Sequence, residues 1–205
     1  MTTPSAKARA AIEWGWAGRA LEPPSGDLHV VVPFPGGALV ALLDGLGHGP
    51  LAAMASQAAE PVLKAHASDP VLQIVQRCHD ALQGTRGAVM SIASFSVDNS
   101  SVTWTGVGNV DGFLLRKMNA SGTANEAMAL RGGVVGSQLP PLRATTCTVS
   151  TGDTLIMVTD GIRSAFTSGL SVDGSPQEIA EWIVNRFARE TDDAHVDVAR
   201  YLGTQ

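Results

Sequence analysis

Short apolar runs separated by glycine and proline alternate with two longer amphipathic stretches in the first half of the chain. Two aliphatic runs within 28–43 flank a Pro-Gly-Gly turn, which predicts a β-hairpin. The alanine-rich stretch 51–66 follows Pro50, a residue that the first turn of a helix accepts, and it predicts a helix. A second helix is predicted over 70–83 from apolar residues at helical spacing, with Asp69 placed to cap it.

The second half of the chain changes to a period of two. Three consecutive alternating segments between 88 and 117 predict an antiparallel meander. Another strand pair is predicted around the turn Gly152-Asp153, and an amphipathic helix over 176–189 precedes a last strand over 196–202.

The order of these elements predicts the fold class. With an edge strand at 10–17, the chain contains strands, two adjacent helices, more strands, one helix and one strand. Helices grouped between runs of antiparallel strands indicate an α+β fold rather than a regular βαβ alternation. We therefore predict one domain over 1–205, a sandwich of sheets with helices packed outside.

Composition excludes several classes of partner. Hydrophobic residues make up 44% of the 205 residues, enough for a core, and the net charge of −5 without a basic block excludes a nucleic-acid surface. The N-terminus has no apolar segment of a secretion signal, and no apolar run is long enough to cross a membrane. Cys78 and Cys147 stand alone, as buried thiols in a reducing compartment do. We expect a soluble cytoplasmic protein.

The glycine-rich turn 45–49 follows an apolar strand and precedes a helix, which raises the possibility of a dinucleotide site. That fingerprint needs a third glycine where Pro50 stands, within a parallel βαβ unit. Here a second helix and an antiparallel meander follow instead. The context therefore argues against a nucleotide cofactor.

Two aliphatic strands end in the same way, in an Asp-Gly pair followed by an aliphatic residue. These are ALVALLDGL at 38–46 and TLIMVTDGI at 154–162. One Asp-Gly pair is an ordinary turn. If the two strands are neighbours, however, Asp44 and Asp160 project from the same rim.

Close carboxylates repel each other and need a shared proton or a cation. The pair Asp192-Asp193 and Asp27 are candidates to join Asp44 and Asp160. Oxygen ligands without cysteine or paired histidine indicate Mg²⁺ or Mn²⁺ rather than zinc. The negative charge at Asp44 would then hold metal, and the metal would hold a phosphate.

The motifs resemble, in their order, those of PPM-type metal-dependent serine/threonine phosphatases, in the bacterial SpoIIE/RsbU/RsbX-like branch. The resemblance rests on DGLGHG at 44–49, VTDGI at 158–162 and TDDAHVDV at 191–198, with SGD at 25–27, RGAVMSIASFSVD at 86–98 and GVGNVDGFLL at 106–115 in matching positions. The length and the lack of an attached sensor domain look most like the RsbX branch.

The resemblance implies a four-layer αββα sandwich of two mainly antiparallel sheets flanked by helices, with two metal ions at one edge. By motif position, Asp44 would bridge both ions and the Gly45 carbonyl would bind one. Asp160 and Asp192 would complete the other, and Asp27 would act nearby. The ions, Mn²⁺ or Mg²⁺, would activate a water that attacks phosphorus directly.

Two positions stay open within this resemblance. His48 is a candidate to protonate the leaving oxygen, and a polar loop residue without a chemical role is an equally good interpretation. His195 stands where the last family motif commonly has threonine, which leaves the register of the aspartate pair open. If the last strand begins at Asp192, Asp192 and Val196 lie on its core-facing side. Asp193 and His195 then lie on the opposite side.

The resemblance also implies a substrate. We expect a regulatory protein phosphorylated on serine or threonine in bacterial stress signalling, of the stressosome type. The alternative is a pseudophosphatase that binds such a partner without turnover. Retention of Asp44, Asp160 and an aspartate pair in the last motif favours the active enzyme.

Overall fold

The computed structural model describes residues 10–117, 125–168 and 170–203. Strands form two sheets, and helices cover their outer faces. In chain order the elements are β1 (Ile12–Arg19), β2 (Asp27–Phe34), β3 (Gly37–Gly45), α1 (Pro50–Ala65), α2 (Val71–Leu82), β4 (Ala88–Ser96), β5 (Ser101–Val107), β6 (Asp111–Leu115), β7 (Glu126–Ala127), β8 (Leu130–Arg131), β9 (Thr145–Thr148), β10 (Thr154–Val158), a 3₁₀ turn (Ser164–Thr167), α3 (Pro176–Phe187) and β11 (Ala194–Tyr201).

The two sheets face each other. The first has the order β1-β11-β10-β6-β7, and the second has β2-β3-β4-β5-β8 with β9 also paired to β5. Within the described ranges every strand pair is antiparallel except β5–β8. Helix α3 packs on the first sheet, and α1 and α2 pack on the second. The predicted α+β class and αββα sandwich are confirmed.

Strand β3 is buried on both faces because it lies inside the second sheet. Val40 and Leu42 pack between the sheets, and Leu39 and Leu43 pack toward α1 and α2. This burial explains why the strand is an almost unbroken apolar run rather than an alternating one. Its end, where Asp44 stands, is therefore held by packing on both sides.

The three predicted helices are confirmed, but the cap of α2 was predicted wrongly. Pro70 occupies the cap position of α2 and makes no side-chain hydrogen bond to the helix. The Asp69 carboxylate instead lies 3.0 Å from Nδ1 of His66 and 3.6 Å from Nε of Arg77. These two side chains occupy the oxygens that would otherwise accept the helix amides. None of the described helices has the length and hydropathy to span a membrane.

The predicted meander is wrong in its third strand. β4 and β5 pair as expected, but β6 leaves them and pairs with β10 in the other sheet. The free side of β5 is taken by β8 and β9, and Gly108 turns the chain with a φ of 97°. Glycine adopts that conformation at no steric cost.

The predicted strand pair around Gly152-Asp153 does not form either. β9 joins the second sheet and β10 joins the first. The Asp153 carboxylate accepts hydrogen bonds from the amides of Ser150 and Lys117, at 3.0 and 2.9 Å, and so fixes the chain where it crosses between the sheets. The polar side chain thus has a tertiary role that turn composition does not reveal.

Candidate metal centre

Asp44 and Asp160 reach the same rim of the sandwich from opposite sheets. The two strands are not neighbours, because β3 and β10 belong to different sheets. Both residues nevertheless line one open cleft of about 370 Å³, together with Asp192, His48 and Asn109. The rim therefore brings together carboxylates from three distant parts of the chain.

Gly45 lets the end of β3 pack directly against α1. A Cβ atom at this position would lie 2.0 Å from the carbonyl oxygen of Ala52, closer than real atoms approach. The Gly45 amide donates to the carbonyl of Gly26 at 3.1 Å, and the Leu46 amide donates to that of Gly87 at 3.0 Å. The glycines of this motif therefore serve close packing and a sharp turn beside Asp44.

Gly161 has the same role beside Asp160. Its Cβ would lie 1.8 Å from the carbonyl oxygen of Asp193, so only glycine allows this turn to touch the segment before β11. The Thr159 amide donates to the carbonyl of His195 at 3.1 Å and holds the same two segments together. This contact brings Asp192 to the cleft that Asp160 lines.

Asp27 lies opposite Asp44 in the β2–β3 register and is 9% exposed. The Thr159 hydroxyl donates to its Oδ2 at 2.8 Å, and its Oδ1 has no hydrogen-bond partner among the described residues. Burial, followed by the charge of Asp44, raises the pKa of Asp27 to about 8. A buried carboxylate with a free oxygen needs a cation or a proton.

The other rim carboxylates show the same excess of negative charge. Burial, and then the charges of Asp160 and Asp192, raise the pKa of Asp44 to about 7. Burial and then Asp192 also raise the pKa of Asp160. Within the described ranges, no lysine or arginine forms an ion pair with any of these groups. Clustered oxygen ligands that lack a positive partner fit divalent cations such as Mg²⁺ or Mn²⁺.

The two aspartates of the last motif have different environments. Asp192 lines the cleft, whereas Asp193 is 3% exposed. The two carboxylate oxygens of Asp193 accept the amides of Leu21 and Gly26, each at 2.7 Å. Asp193 therefore anchors the loop before β2.

The argument from alternation along the last strand, which starts that strand at Asp192, was wrong, because β11 begins at Ala194. Val196 packs with the residues around α3, whereas His195 and Asp197 turn toward the space between the sheets. Asp192 precedes the strand, and the contact with the Gly161 turn, rather than alternation, decides its position.

His48 lies in the cleft wall, but it is exposed. Its Nδ1 is 3.2 Å from Oε2 of Glu22, which precedes β2. Both side chains are more than half exposed, so His48 stands on the cleft wall in contact with water.

Two residues at the site were missed by sequence reasoning. Nδ2 of Asn109 donates to Oδ2 of Asp160 at 2.8 Å, and the Thr159 hydroxyl bridges the His195 amide to Asp27. Asn109 lies in the stretch 106–115 that matches the family, but its neighbours in the sequence do not indicate the hydrogen bond to Asp160. A threonine at the end of an otherwise aliphatic strand was the available signal for Thr159.

Comparisons with known sequences agree with the motifs. Residues 35–200 match the family described as "Stage II sporulation protein E (SpoIIE)". The chain is 31% identical over 153 residues to the phosphoserine phosphatase RsbX of Bacillus subtilis (strain 168), which covers 72% of this chain and 75% of that protein.

Solved structures share the architecture. One comes from work on "The bacterial stressosome: a modular system that has been adapted to control secondary messenger signaling", with a TM-score of 0.82, 28% identity and coverage of 92% of this chain and 99% of that one. The crystal structure of RsbX in complex with magnesium has a TM-score of 0.81 at 23% identity and covers 93% of this chain and 95% of that one. The PP2C phosphatase domain of SpoIIE from Bacillus subtilis, solved with a fragment of its regulatory domain, has a TM-score of 0.72 at 20% identity. It covers 95% of this chain and 64% of that one. The chain therefore belongs to the SpoIIE family and is a serine/threonine phosphatase, with the fold of a PP2C phosphatase domain.

Proposed function

We propose that this phosphatase hydrolyses phosphoserine or phosphothreonine on a regulatory protein of bacterial stress signalling and uses two divalent cations, Mn²⁺ or Mg²⁺. The observation that carries the proposal is the cluster of carboxylates at the rim, which mutual repulsion and burial disfavour and which forms no ion pair with a lysine or arginine in the described ranges. The substrate class is supported by the similarity to RsbX, a phosphoserine phosphatase, and to a chain from work on the stressosome.

Asp44 is proposed to bind both cations, and the carbonyl of Gly45 to bind one. Asp160 and Asp192, which line the same cleft, would complete the other metal site, and Asp27, opposite Asp44 in the β2–β3 register, would act nearby. When bound, the cations neutralise the carboxylates, polarise the phosphoryl group and lower the pKa of water. The protein supplies orientation: Asn109 holds the carboxylate of Asp160, as the hydrogen bond between them shows.

Two groups in or beside the cleft are suited to the phosphate and the leaving group. A Cβ atom at Gly47 would lie 2.7 Å from Nη1 of Arg86, so this guanidinium lies against the motif loop. We propose that Arg86 binds phosphate oxygens, for which its fork geometry is suited. His48, held by Glu22, is proposed to give a proton to the departing serine or threonine oxygen.

The substrate is proposed to be a protein rather than a metabolite. The cleft is open, and His48 and Gly47 on its wall are exposed, so a folded phosphoprotein can reach it. We further propose that 1–205 forms one domain and that the protein works in the cytoplasm. The location is supported by Cys78 and Cys147, which are both buried free thiols.

The test is the release of phosphate from a phosphoserine peptide and a phosphothreonine peptide. Chelated protein is expected to be inactive, and added Mn²⁺ or Mg²⁺ is expected to restore turnover. Full activity after chelation would contradict the role of metal. Binding of phosphopeptide without turnover at any metal concentration would indicate the pseudophosphatase, which the retained carboxylates do not favour.

A further inference from the structure

A second cluster of polar side chains lies between the two sheets, away from the cleft lining. It consists of His29 on β2 with His195 and Asp197 on β11, and one donor atom of each lies within 4.8 Å of the others. His29 stands opposite Leu42 in the β2–β3 register, and Leu42 packs between the sheets. The cluster therefore connects one sheet to the other.

Three side-chain atoms of the cluster lack the hydrogen-bond partners that buried polar groups normally have. Asp197 is 3% exposed and His195 is 6% exposed. Among the described residues, the two carboxylate oxygens of Asp197 have no hydrogen-bond partner. Nε2 of His195 has none either. Buried polar atoms without partners are rare in folded proteins, and a buried carboxylate is costly without a cation.

The aromatic surroundings hold both imidazole rings in place. The Trp16 ring lies 4.4 Å from that of His29 and 5.3 Å from that of His195, almost parallel to the latter at 9°. A Cβ at Gly18 would lie 2.7 Å from Nδ1 of His195, so glycine makes room for this ring. Trp16 itself is 45% exposed, which leaves the cluster one side chain away from solvent.

We propose that His29, His195 and Asp197 bind a divalent transition-metal ion of the Zn²⁺ class, at a site separate from the rim carboxylates. Two imidazoles and one carboxylate are ligands that zinc prefers, in contrast to the all-oxygen rim. Nε2 of His195 lies 3.4 Å from Oδ1 of Asp197. Two ligands of a tetrahedral zinc ion with bonds of about 2.1 Å are about 3.4 Å apart.

The bound ion would link the sheets. Its ligands come from β2 and β11, which are joined in space but not by backbone pairing. The third donor has to move inward from its present separation of at most 4.8 Å, and a water would occupy the fourth position. Binding to the folded state alone would raise the unfolding temperature.

The experiment uses the full chain without a purification tag, with Asp44→Asn and Asp160→Asn to weaken metal binding at the rim. Zinc is titrated calorimetrically, and X-ray absorption at the zinc edge counts imidazole ligands. We expect one tight zinc ion per chain with two imidazoles. Adding Asp197→Asn should weaken binding by at least about 100-fold, because even partners that only support a ligand contribute about 10- to 100-fold.

Two controls make the result decisive. His66→Gln removes a histidine that also pairs with an aspartate, but at the end of α1, and it should leave zinc affinity unchanged. If Asp197→Asn fails to fold, His29→Gln at a partly buried position replaces it. Absence of a tight zinc ion, zinc without imidazole ligands, or unchanged affinity in the Asp197 or His29 variants would overturn the proposal.

Discussion

At the scale of single residues, the rim carboxylates give the metal-free protein an unusual dependence on pH. Folding raises the pKa of Asp27 from 3.8 to about 8 and that of Asp44 from 3.8 to about 7. The folded state therefore holds protons that the unfolded state releases, and stability falls as pH rises through this window.

We expect metal-free protein to be more stable at pH 5.5 than at pH 8.5, as measured by urea unfolding in a chelator. Bound Mn²⁺ should reduce the difference, because it stabilises the ionised carboxylates. Asp27→Asn should also reduce it, whereas Asp98→Asn at an exposed turn serves as the matched control. Equal stability at both pH values would show that these groups do not share the burial and repulsion described here.

Asp44→Asn tests the residue proposed to hold both cations. The change keeps the shape of the side chain and removes the charge, so we expect turnover to fall by orders of magnitude and metal affinity to fall with it. The fold should persist, because Asp44 ends β3 without contributing to its apolar packing. Mass spectrometry measures the metal content, and circular dichroism checks that the fold persists. Wild-type turnover with wild-type metal content would contradict the bridging role.

The pair Asp192 and Asp193 separates metal binding from anchoring. Asp192→Asn should lower Mn²⁺ affinity and turnover by orders of magnitude. Asp193→Asn should cost about 1–3 kcal/mol of stability instead, since an amide group can accept only one of the bonds from Leu21 and Gly26. Calorimetric Mn²⁺ titration and urea unfolding of both variants decide it. An inactive but stable Asp193 variant beside an active Asp192 variant would reverse the assignment.

At the scale of elements, the turn after β10 has to touch the segment before β11. We expect Gly161→Ala to push these segments apart, because the new methyl would meet the carbonyl of Asp193. The expected loss is about 1–3 kcal/mol of stability, as for other overpacked sites, together with weaker Mn²⁺ binding. Gly132→Ala, where a Cβ atom has open space, is the control for thermal unfolding and metal titration. Similar results for the two variants would show that the close approach is unimportant.

The same scale shows where sequence patterns stop being informative. A period of two identified β4, β5 and β6 as strands, and helical spacing identified the buried stripe of α2. Alternation describes only which sides of a strand are covered. It does not tell which strand β6 pairs with, and the edge of β5 that the meander would use is occupied by β8 and β9.

At the scale of the whole molecule, the open cleft predicts a preference for protein substrates. We expect a higher kcat/KM for a folded phosphoprotein than for a short phosphopeptide with the same phosphorylated sequence, because surfaces beside the cleft can contribute contacts to a large partner. Parallel phosphate-release assays on the two substrates measure it, with a small aryl phosphate to report the chemistry alone. The highest efficiency on a free metabolite would contradict a protein substrate.

The sequence by itself determined the helices, most strands, the α+β class and the two Asp-Gly strand ends, because these depend on neighbouring residues and on local turn geometry. It also carried the motifs of the family. The tertiary structure alone decided which sheet each strand joined, and with it the meeting of Asp44 and Asp160 from opposite sheets. It likewise decided the burial of Asp193 and the cluster at His29, because both depend on packing between segments that are far apart in the chain.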